Sequence, residues 1–95
     1  MSTEITPDLT ESGWESARGG AAIVKTFHFP NFRDAMAWMT RCAFEAEAAD
    51  HHPEWFNVYN RVEVTLTTHD TGGLTEKDIS LASKMDQIAA RIPAK

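Results

Sequence analysis

The feature that most constrains the fold of this chain is a long helical segment bounded by Asn31 and Pro53. Asn31 is a good N-cap, and Asp34 suits the positive end of the helix dipole. Because a proline pushes the residue before it out of the α region, the helix must end by His52. Apolar residues recur between these limits at steps of three and four, which predicts one buried stripe. The stripe comprises Phe32, Ala35, Met36, Met39, Cys42, Ala43 and Ala46.

Strand-like segments flank this helix on both sides. Residues 14–18 and 22–29 read as two strands joined at a Gly-Gly turn, and residues 55–59 and 62–68 read as two more. In the second strand Lys25 interrupts the apolar face, which places that strand near a sheet edge or a second interface. In the fourth, one face is apolar and the other is polar and ends at His69, a pattern typical of an antiparallel sheet covered on one side.

Two further helices complete the pattern. Thr6 and Pro7 begin a short one, with threonine as N-cap and proline in the first turn. Thr75 caps the last helix, and Asp78 stands at the N3 position of a capping-box-like pair. Its buried stripe is predicted to hold Leu81, Met85, Ile88 and Ile92.

The order α–β–β–α–β–β–α predicts an α+β fold in a single domain over residues 1–95. Two hairpins would form a four-stranded antiparallel sheet, and the helices would stack on one face as a two-layer sandwich.

Composition limits the classes of function. With 14 acidic and 9 basic residues the net charge is −5, which gives no electrostatic footprint for nucleic acid or anionic lipid. No apolar run is long enough to span a bilayer, and residues 1–4 are polar, which argues against a signal peptide. The single cysteine, Cys42, is expected to be a buried small hydrophobe. These features predict a reduced, cytoplasmic enzyme or binding domain.

Three of the four histidines, His51, His52 and His69, fall close together in the sequence. Histidine exchanges protons near neutral pH, so their convergence on one cleft would make a proton-transfer site. For His51 and His52 to share a cleft the chain must bend, and Pro53 supplies a reason. The ordinary alternatives are a solvated helix end for that pair and a surface position at a strand end for His69.

A metal site is the competing use of these side chains. Three imidazoles and a carboxylate can bind zinc, but adjacent histidines are poorly spaced to hold one ion. Other residues have ordinary roles open to them. Asp78 can serve simply as a helix cap and Glu47 as a solvated helix residue, and Trp55 can be core, interface or a stacking wall.

The run of residues 46–60, AEAADHHPEWFNVYN, closely resembles the pterin-4a-carbinolamine dehydratases. The pairs Thr68-His69 and Asp78-Ile79 and the segment 73–75 continue the match, as do segments 27–29 and 39–41 upstream. The resemblance covers nearly the whole chain from Trp14. It implies the same helix-and-sheet sandwich as the pattern derived above.

The resemblance implies an enzyme that dehydrates 4a-hydroxytetrahydropterin (4a-hydroxytetrahydrobiopterin) to quinonoid dihydropterin. This reaction recycles the pterin of aromatic amino-acid hydroxylases and needs neither a cofactor nor a metal. Carried over to this chain, the resemblance makes His51 and His69 the acid–base pair and His52 mainly a substrate-binding residue. The remaining predicted site residues are the pocket acids Glu47 and Asp78 and the pocket-wall residues Pro53 and Trp55.

The resemblance also implies rival roles. Vertebrate members double as dimerisation cofactors of a homeodomain transcription factor, and some members suggest an accessory role in molybdopterin metabolism. The intact trio of histidines argues against a purely adaptor role. Unpaired strand edges and a small core favour self-association, and the family implies a homodimer or homotetramer.

Overall fold

The computed structural model describes residues 3–92, which hold three helices and four strands in the predicted order. In chain order they are α1 (Pro7–Ser12), β1 (Glu15–Ala17), β2 (Ala22–His28), α2 (Phe32–Ala48), β3 (Glu54–Val58), β4 (Arg61–Leu66) and α3 (Glu76–Ala89). Two short 3-10 turns, Arg18–Gly20 and His69–Thr71, follow β1 and β4. Residues 1–2 and 93–95 lie outside the described part, so the expectations about residues 1–4 and a domain over 1–95 extend beyond it.

The four strands form one antiparallel sheet in the order β1-β2-β4-β3. On one face of its central pair, Ile23 lies opposite Leu66 and Phe27 opposite Val62, and all four are buried. They belong to one apolar core with side chains of α2 and α3, so the predicted two-layer α+β sandwich is confirmed. The other face of the sheet is more polar and more exposed.

The expectation that β2 lies near an edge is wrong for the sheet as a whole, because β2 pairs with both β1 and β4. Lys25 is accommodated by a carboxylate instead. Its Nζ atom lies 2.8 Å from Oδ1 of Asp86 and 4.5 Å from the centroid of the Phe27 ring. The interruption in the apolar pattern is therefore an ion pair within the fold.

The predicted stripe of α2 is partly wrong, because it omits Trp38. The buried positions of this helix are Ala35, Trp38, Cys42 and Ala46, whereas Phe32, Met36 and Ala43 are exposed. The Trp38 ring packs against Phe27 and Phe29, with centroids 4.4 and 5.3 Å away, and its Nε1–H donates to the carbonyl of Met85 at 3.0 Å. Because a tryptophan is large and gains much from burial, the position of Trp38 sets the rotation of the helix.

Other features of the core follow the sequence closely. Leu81, Met85 and Ile88 of α3 are buried and Ile92 is half-buried. Cys42 is also buried, as expected, and burial raises the pKa of its thiol to about 12. No helix between residues 3 and 92 is long and apolar enough to cross a membrane.

Asp86 ties the N-terminal segment to the rest of the domain. Its carboxylate accepts hydrogen bonds from the Ser12 hydroxyl at 2.6 Å and from the buried Trp14 indole at 3.1 Å, besides the Lys25 ammonium.

We expect Asp86→Ala to lower the free energy of unfolding by about 2–4 kcal/mol, because it leaves a mostly buried ammonium and a buried indole N–H without their acceptor. Urea denaturation followed by tryptophan fluorescence measures this loss.

The exposed pair Arg61–Glu63 provides the control. Glu63→Ala should change the free energy of unfolding by no more than about 0.5 kcal/mol, since exposed ion pairs contribute little. Adding Lys25→Met to Asp86→Ala should recover part of the loss, because the unpaired charge is then gone. Equal losses in Asp86→Ala and Glu63→Ala would contradict this account.

Candidate active site

The three clustered histidines line one open cavity of about 360 Å³ at the end of the sheet. His51 and His52 reach it from the segment that follows α2, and His69 from the 3-10 turn that follows β4. Pro53 and Lys77 also line it. The structure thus brings together side chains from three parts of the chain.

The bend that delivers His51 and His52 lies at Asp50, one turn earlier than the bend expected at Pro53. Asp50 has φ +52°, in the left-handed region, and α2 ends there in a Schellman motif. The His51 N–H donates to the carbonyl of Ala46 and the Asp50 N–H to that of Glu47. This reversal turns the chain back toward the sheet before the proline is reached.

His51 is held from behind by a buried carboxylate. Its Nε2–H donates to Oδ1 of Asp78 at 2.5 Å, and both side chains are shielded from solvent. Asp78 also caps α3, as predicted, because its Oδ2 atom accepts the N–H of Thr75 at 2.9 Å. One carboxylate therefore fixes both the start of a helix and the orientation of an imidazole.

Two threonine hydroxyls complete the bonding of Asp78. Thr68 donates to Oδ2 of Asp78 at 2.7 Å, and the hydroxyls of Thr68 and Thr75 lie 2.7 Å apart. Because a carboxylate accepts and the Thr68 hydroxyl has one hydrogen, Thr75 must donate to Thr68. The direction of this relay, from Thr75 through Thr68 to Asp78, follows from donor and acceptor counting. The sequence analysis did not identify Thr68 as a site residue, although it stands in the quoted pair Thr68-His69.

His52 and Glu47 form a separate pair on the outer rim of the site. The Nε2–H of His52 donates to Oε1 of Glu47 at 2.9 Å, and both side chains are exposed. Glu47 lies in the last turn of α2, so the pair links the end of that helix to the segment after it. Both side chains of this pair are far more exposed to solvent than those of His51 and Asp78.

His69 is placed differently from its expected position on the polar face of a strand. β4 ends at Leu66, and His69 begins a 3-10 turn closed by mutual backbone hydrogen bonds between Thr68 and Gly73. The ring is largely exposed, and its Nε2–H donates to Oε2 of Glu54 at 3.1 Å. Glu54, at the start of β3, was not singled out from the sequence.

Arg18 holds the same carboxylate from the other side. Its Nη2 atom lies 2.8 Å from Oε1 of Glu54 and its Nη1 atom 3.4 Å from Oε2. Hydrogen bonding by Arg18 is the largest cause that lowers the pKa of Glu54, and His69 contributes further. The arginine follows β1, and no local sequence signal ties it to residue 54.

Trp55 does not line the cavity in this chain. Its ring is half-buried on the core face of β3, and its centroid lies 6.2 Å from that of Trp38. The adjacent Phe56 is exposed, so one member of the pair faces the core and the other does not, as the alternation of a strand requires. Trp55 fixes the strand that begins with Glu54.

The arrangement is suited to proton transfer. Each of the three imidazoles donates its Nε2–H to a carboxylate, and no described group bonds their Nδ1 atoms. A carboxylate partner fixes the tautomer and ring orientation and stabilises the imidazolium that forms when the ring takes a proton. Between residues 3 and 92, no group of three His, Cys, Asp or Glu side chains is arranged to hold a metal ion.

Comparison with known proteins identifies the family of this chain. Residues 1–88 match the family described as pterin 4 alpha carbinolamine dehydratase. A protein of Sinorhizobium fredii, provisionally named a pterin-4-alpha-carbinolamine dehydratase, is 61% identical over 82 residues, covering 85% of this chain and 78% of its own. A similarly named protein of Jannaschia sp. is 60% identical over 81 residues, covering 85% and 83%.

Solved structures show the same fold. A transcriptional coactivator/pterin dehydratase from Brucella melitensis superposes with a TM-score of 0.81 at 44% identity, covering 92% of this chain and 99% of that one. A pterin dehydratase-like RuBisCO assembly factor of the α-carboxysome superposes with a TM-score of 0.70 at 20% identity, covering 81% and 89%, and so shares the fold alone. On the family match and these identities, the chain belongs to the pterin-4-alpha-carbinolamine dehydratase family.

Proposed function

We propose that this chain dehydrates 4a-hydroxytetrahydropterin to quinonoid dihydropterin by histidine acid–base catalysis. The observation that carries the proposal is the meeting of three imidazoles, each paired with a carboxylate, around one open cavity. Family membership supplies the substrate class. The proposed physiological role is recycling of the pterin used by aromatic amino-acid hydroxylases in the cytoplasm.

The reaction requires two proton transfers and involves no oxidation or reduction. A proton goes to the C4a hydroxyl, the C4a–O bond breaks and water leaves. The N5–H proton is removed, and its electron pair forms the N5=C4a double bond of the product. A positioned acid or base accelerates such transfers by roughly 10²–10⁴-fold.

We assign His51 and His69 to this acid–base pair and His52 mainly to substrate binding. The buried Asp78 carboxylate keeps the His51 ring in one orientation through a short hydrogen bond. His69 faces the same cavity from a separate turn, so the two rings can act on different atoms of one flat substrate. In this assignment Glu47 holds His52, and Pro53 forms cavity wall.

Trp55 has a supporting place in this proposal. Its ring packs on Trp38 and anchors β3, whose first residue carries the partner of His69. Trp55 thus supports the site from within the core, whereas the resemblance implied that it would form part of the pocket wall.

A second candidate function is transcriptional coactivation, which the name of the Brucella melitensis structure couples to pterin dehydration. At 44% identity over nearly the whole chain, that likeness favours testing it beside the enzyme activity. A protein that binds a transcription factor and has no effect on carbinolamine decay would fit this candidate alone. Carbinolamine decay that is faster than the spontaneous rate would support the dehydratase activity.

Replacing single histidines tests the catalytic assignment. We expect His69→Ala and His51→Gln each to lower turnover of freshly generated carbinolamine by at least about tenfold, because each removes one proton-transfer group. Glutamine at 51 keeps an N–H for the buried Asp78 carboxylate, so the fold is spared. Stopped-flow absorbance in a coupled hydroxylase assay measures the rate above spontaneous decay.

His28 is the matched control, since it is an exposed histidine at the end of β2 and does not line the cavity. His28→Ala should turn over substrate like the unaltered chain. Near-normal rates in both His69→Ala and His51→Gln, with intact circular dichroism spectra, would overturn the assignment.

The hydroxyl relay behind Asp78 gives a second test. Thr68→Val keeps the shape of the side chain but removes a donor to a buried carboxylate, so we expect a loss of about 1–3 kcal/mol in the free energy of unfolding. Turnover should fall as well, because Asp78 then holds His51 less firmly. Denaturation and the coupled assay measure the two effects.

The conservative change and a neighbour separate this relay from ordinary packing. Thr68→Ser keeps the hydroxyl and should restore most of the activity. Thr67→Val removes a hydroxyl that donates to the carbonyl of Ala21, at 2.6 Å, and should leave the ring resonances of His51 unchanged. Nuclear magnetic resonance measures this difference: if Thr68→Val also leaves the ring resonances of His51 unchanged, the relay does not position His51.

We also propose that the chain assembles as a homodimer or homotetramer. β3 has β4 as its one neighbour within the described sheet, and its residues Phe56 and Val58 and the following Tyr59 are exposed. An edge strand with exposed apolar side chains invites pairing with a second chain.

Light scattering should give two or four times the monomer mass, and Phe56→Lys should reduce the measured mass. A monomeric unaltered chain would contradict this part of the proposal.

A further inference from the structure

The carboxylate of Glu54 lies between two cationic or ionisable side chains from distant parts of the chain. Oε2 accepts from the His69 ring at 3.1 Å and Oε1 from the Arg18 guanidinium at 2.8 Å. Arg18 follows β1, whereas Glu54 opens β3, and these strands form opposite edges of the sheet. The contact therefore joins the two sides of the sheet at its cavity end.

We propose that Glu54 and Arg18 are positioning residues for His69: the glutamate aims the imidazole into the cavity, and the arginine aims the glutamate. This inference rests on the proposed function, because it takes His69 to be one member of the acid–base pair. Neither residue was expected from the sequence to belong to the site.

His69 needs such a support more than His51 does. Its side chain is 74% exposed and stands on a short turn, whereas the side chain of His51 is buried. An exposed imidazole samples several rotamers unless a hydrogen bond selects one, and poorly aimed groups transfer protons slowly. Within residues 3–92, Glu54 is the hydrogen-bond partner of the His69 ring.

Arginine is suited to fixing the glutamate in turn. Its planar guanidinium presents two N–H groups that match the two carboxylate oxygens, a geometry that a lysine cannot reproduce. Here Nη2 contacts Oε1 closely and Nη1 lies at a longer 3.4 Å from Oε2. Oε2 is thereby turned toward His69.

The backbone at Arg18 shows a cost consistent with a role for its side chain. Arg18 has φ +52° and is followed by Gly19 at +67° and Gly20 at +95°. Glycine adopts this left-handed region freely and arginine does not. Strained positions of this kind gather at functional sites, and here the strained residue carries the group that reaches Glu54.

The charge on Glu54 adds a pH dependence. Arg18 first and His69 after it hold the pKa of Glu54 below its ordinary value, so the carboxylate stays ionised further into acid. Other ionisable groups lining the same cavity are Asp50, His51, His52, Asp70 and Lys77. Without Arg18, the pKa of Glu54 should rise toward its ordinary value, and the acceptor for His69 should be lost at a higher pH.

The test compares Glu54→Gln and Arg18→Gln with the unaltered chain. Glu54→Gln keeps the side-chain length but removes the charge, and we expect a fall in kcat of about tenfold with little change in KM, since aim and not binding is altered. Arg18→Gln should show a smaller loss at neutral pH that grows as pH falls. Arg61→Gln and Glu63→Gln, which disrupt another exposed Arg–Glu pair, are matched controls and should change neither constant.

Nuclear magnetic resonance supplies a readout that does not depend on turnover. The side-chain carboxyl carbon of Glu54 should titrate at a higher pH in Arg18→Gln, and the ring nitrogen resonances of His69 should shift in Glu54→Gln. These arms stand even if the unaltered chain fails to dehydrate the pterin, which would overturn the proposed function alone. Unchanged ring resonances and unchanged kcat in Glu54→Gln would overturn this inference, and an unchanged Glu54 titration in Arg18→Gln would overturn the part assigned to the arginine.

Discussion

The carboxylate of Asp78 is the group on which the rest of this structure depends. A charged side chain with no exposed surface is very costly unless hydrogen bonds replace its lost hydration. Asp78 obtains three, from the N–H of Thr75, the hydroxyl of Thr68 and the ring of His51. These donors come from the start of α3, the end of the sheet and the segment after α2. Satisfying one buried charge therefore requires the three segments to meet, and their meeting builds the cavity.

The three histidine–carboxylate pairs differ in how strongly they can act. The pair His51–Asp78 is buried, so its electrostatic attraction is weakly screened and its geometry is fixed by packing. The pairs at His52 and His69 are exposed, where screening by water and salt makes a lone ion pair weak. An exposed imidazole consequently needs additional partners to hold it in one orientation. The second contact made by Glu54 meets that need.

Much of the fold could be predicted because its signals are local. Asn31 and Thr75 cap helices through side chains that act within three residues, and the alternation from Val62 to Leu66 marks one buried strand face. The rotation of α2 could not be read in the same way. Steps of three and four fit several overlapping stripes, and the choice among them was made by Trp38 against the sheet and α3, which are distant in sequence.

The same distinction applies to the site. Its histidines were proposed from their chemistry and from the family resemblance, whereas Asp78 was proposed from the resemblance alone, because its helix-capping position predicts only a structural role. The bend at Asp50 was missed because a non-glycine residue with positive φ has no clear sequence signal. Arg18 was missed because its contact with Glu54 spans 36 positions and depends on the twist and closure of the whole sheet. The resemblance implied that Trp55 forms part of the pocket wall. The alternation of side chains along β3 turns its ring to the core instead.

A domain this small has little core to stabilise a rigid site, so shared contacts become important. If the residues that orient the histidine rings were separate from those that stabilise the fold, each would add an ordering cost with no gain in stability. Here Asp78 caps a helix while it holds His51, and Glu47 lies in α2 while it holds His52. Folding thus orders most of the site before any substrate arrives. The reaction proposed for it requires only positioned proton donors and acceptors, which is chemistry that a chain of 95 residues can support.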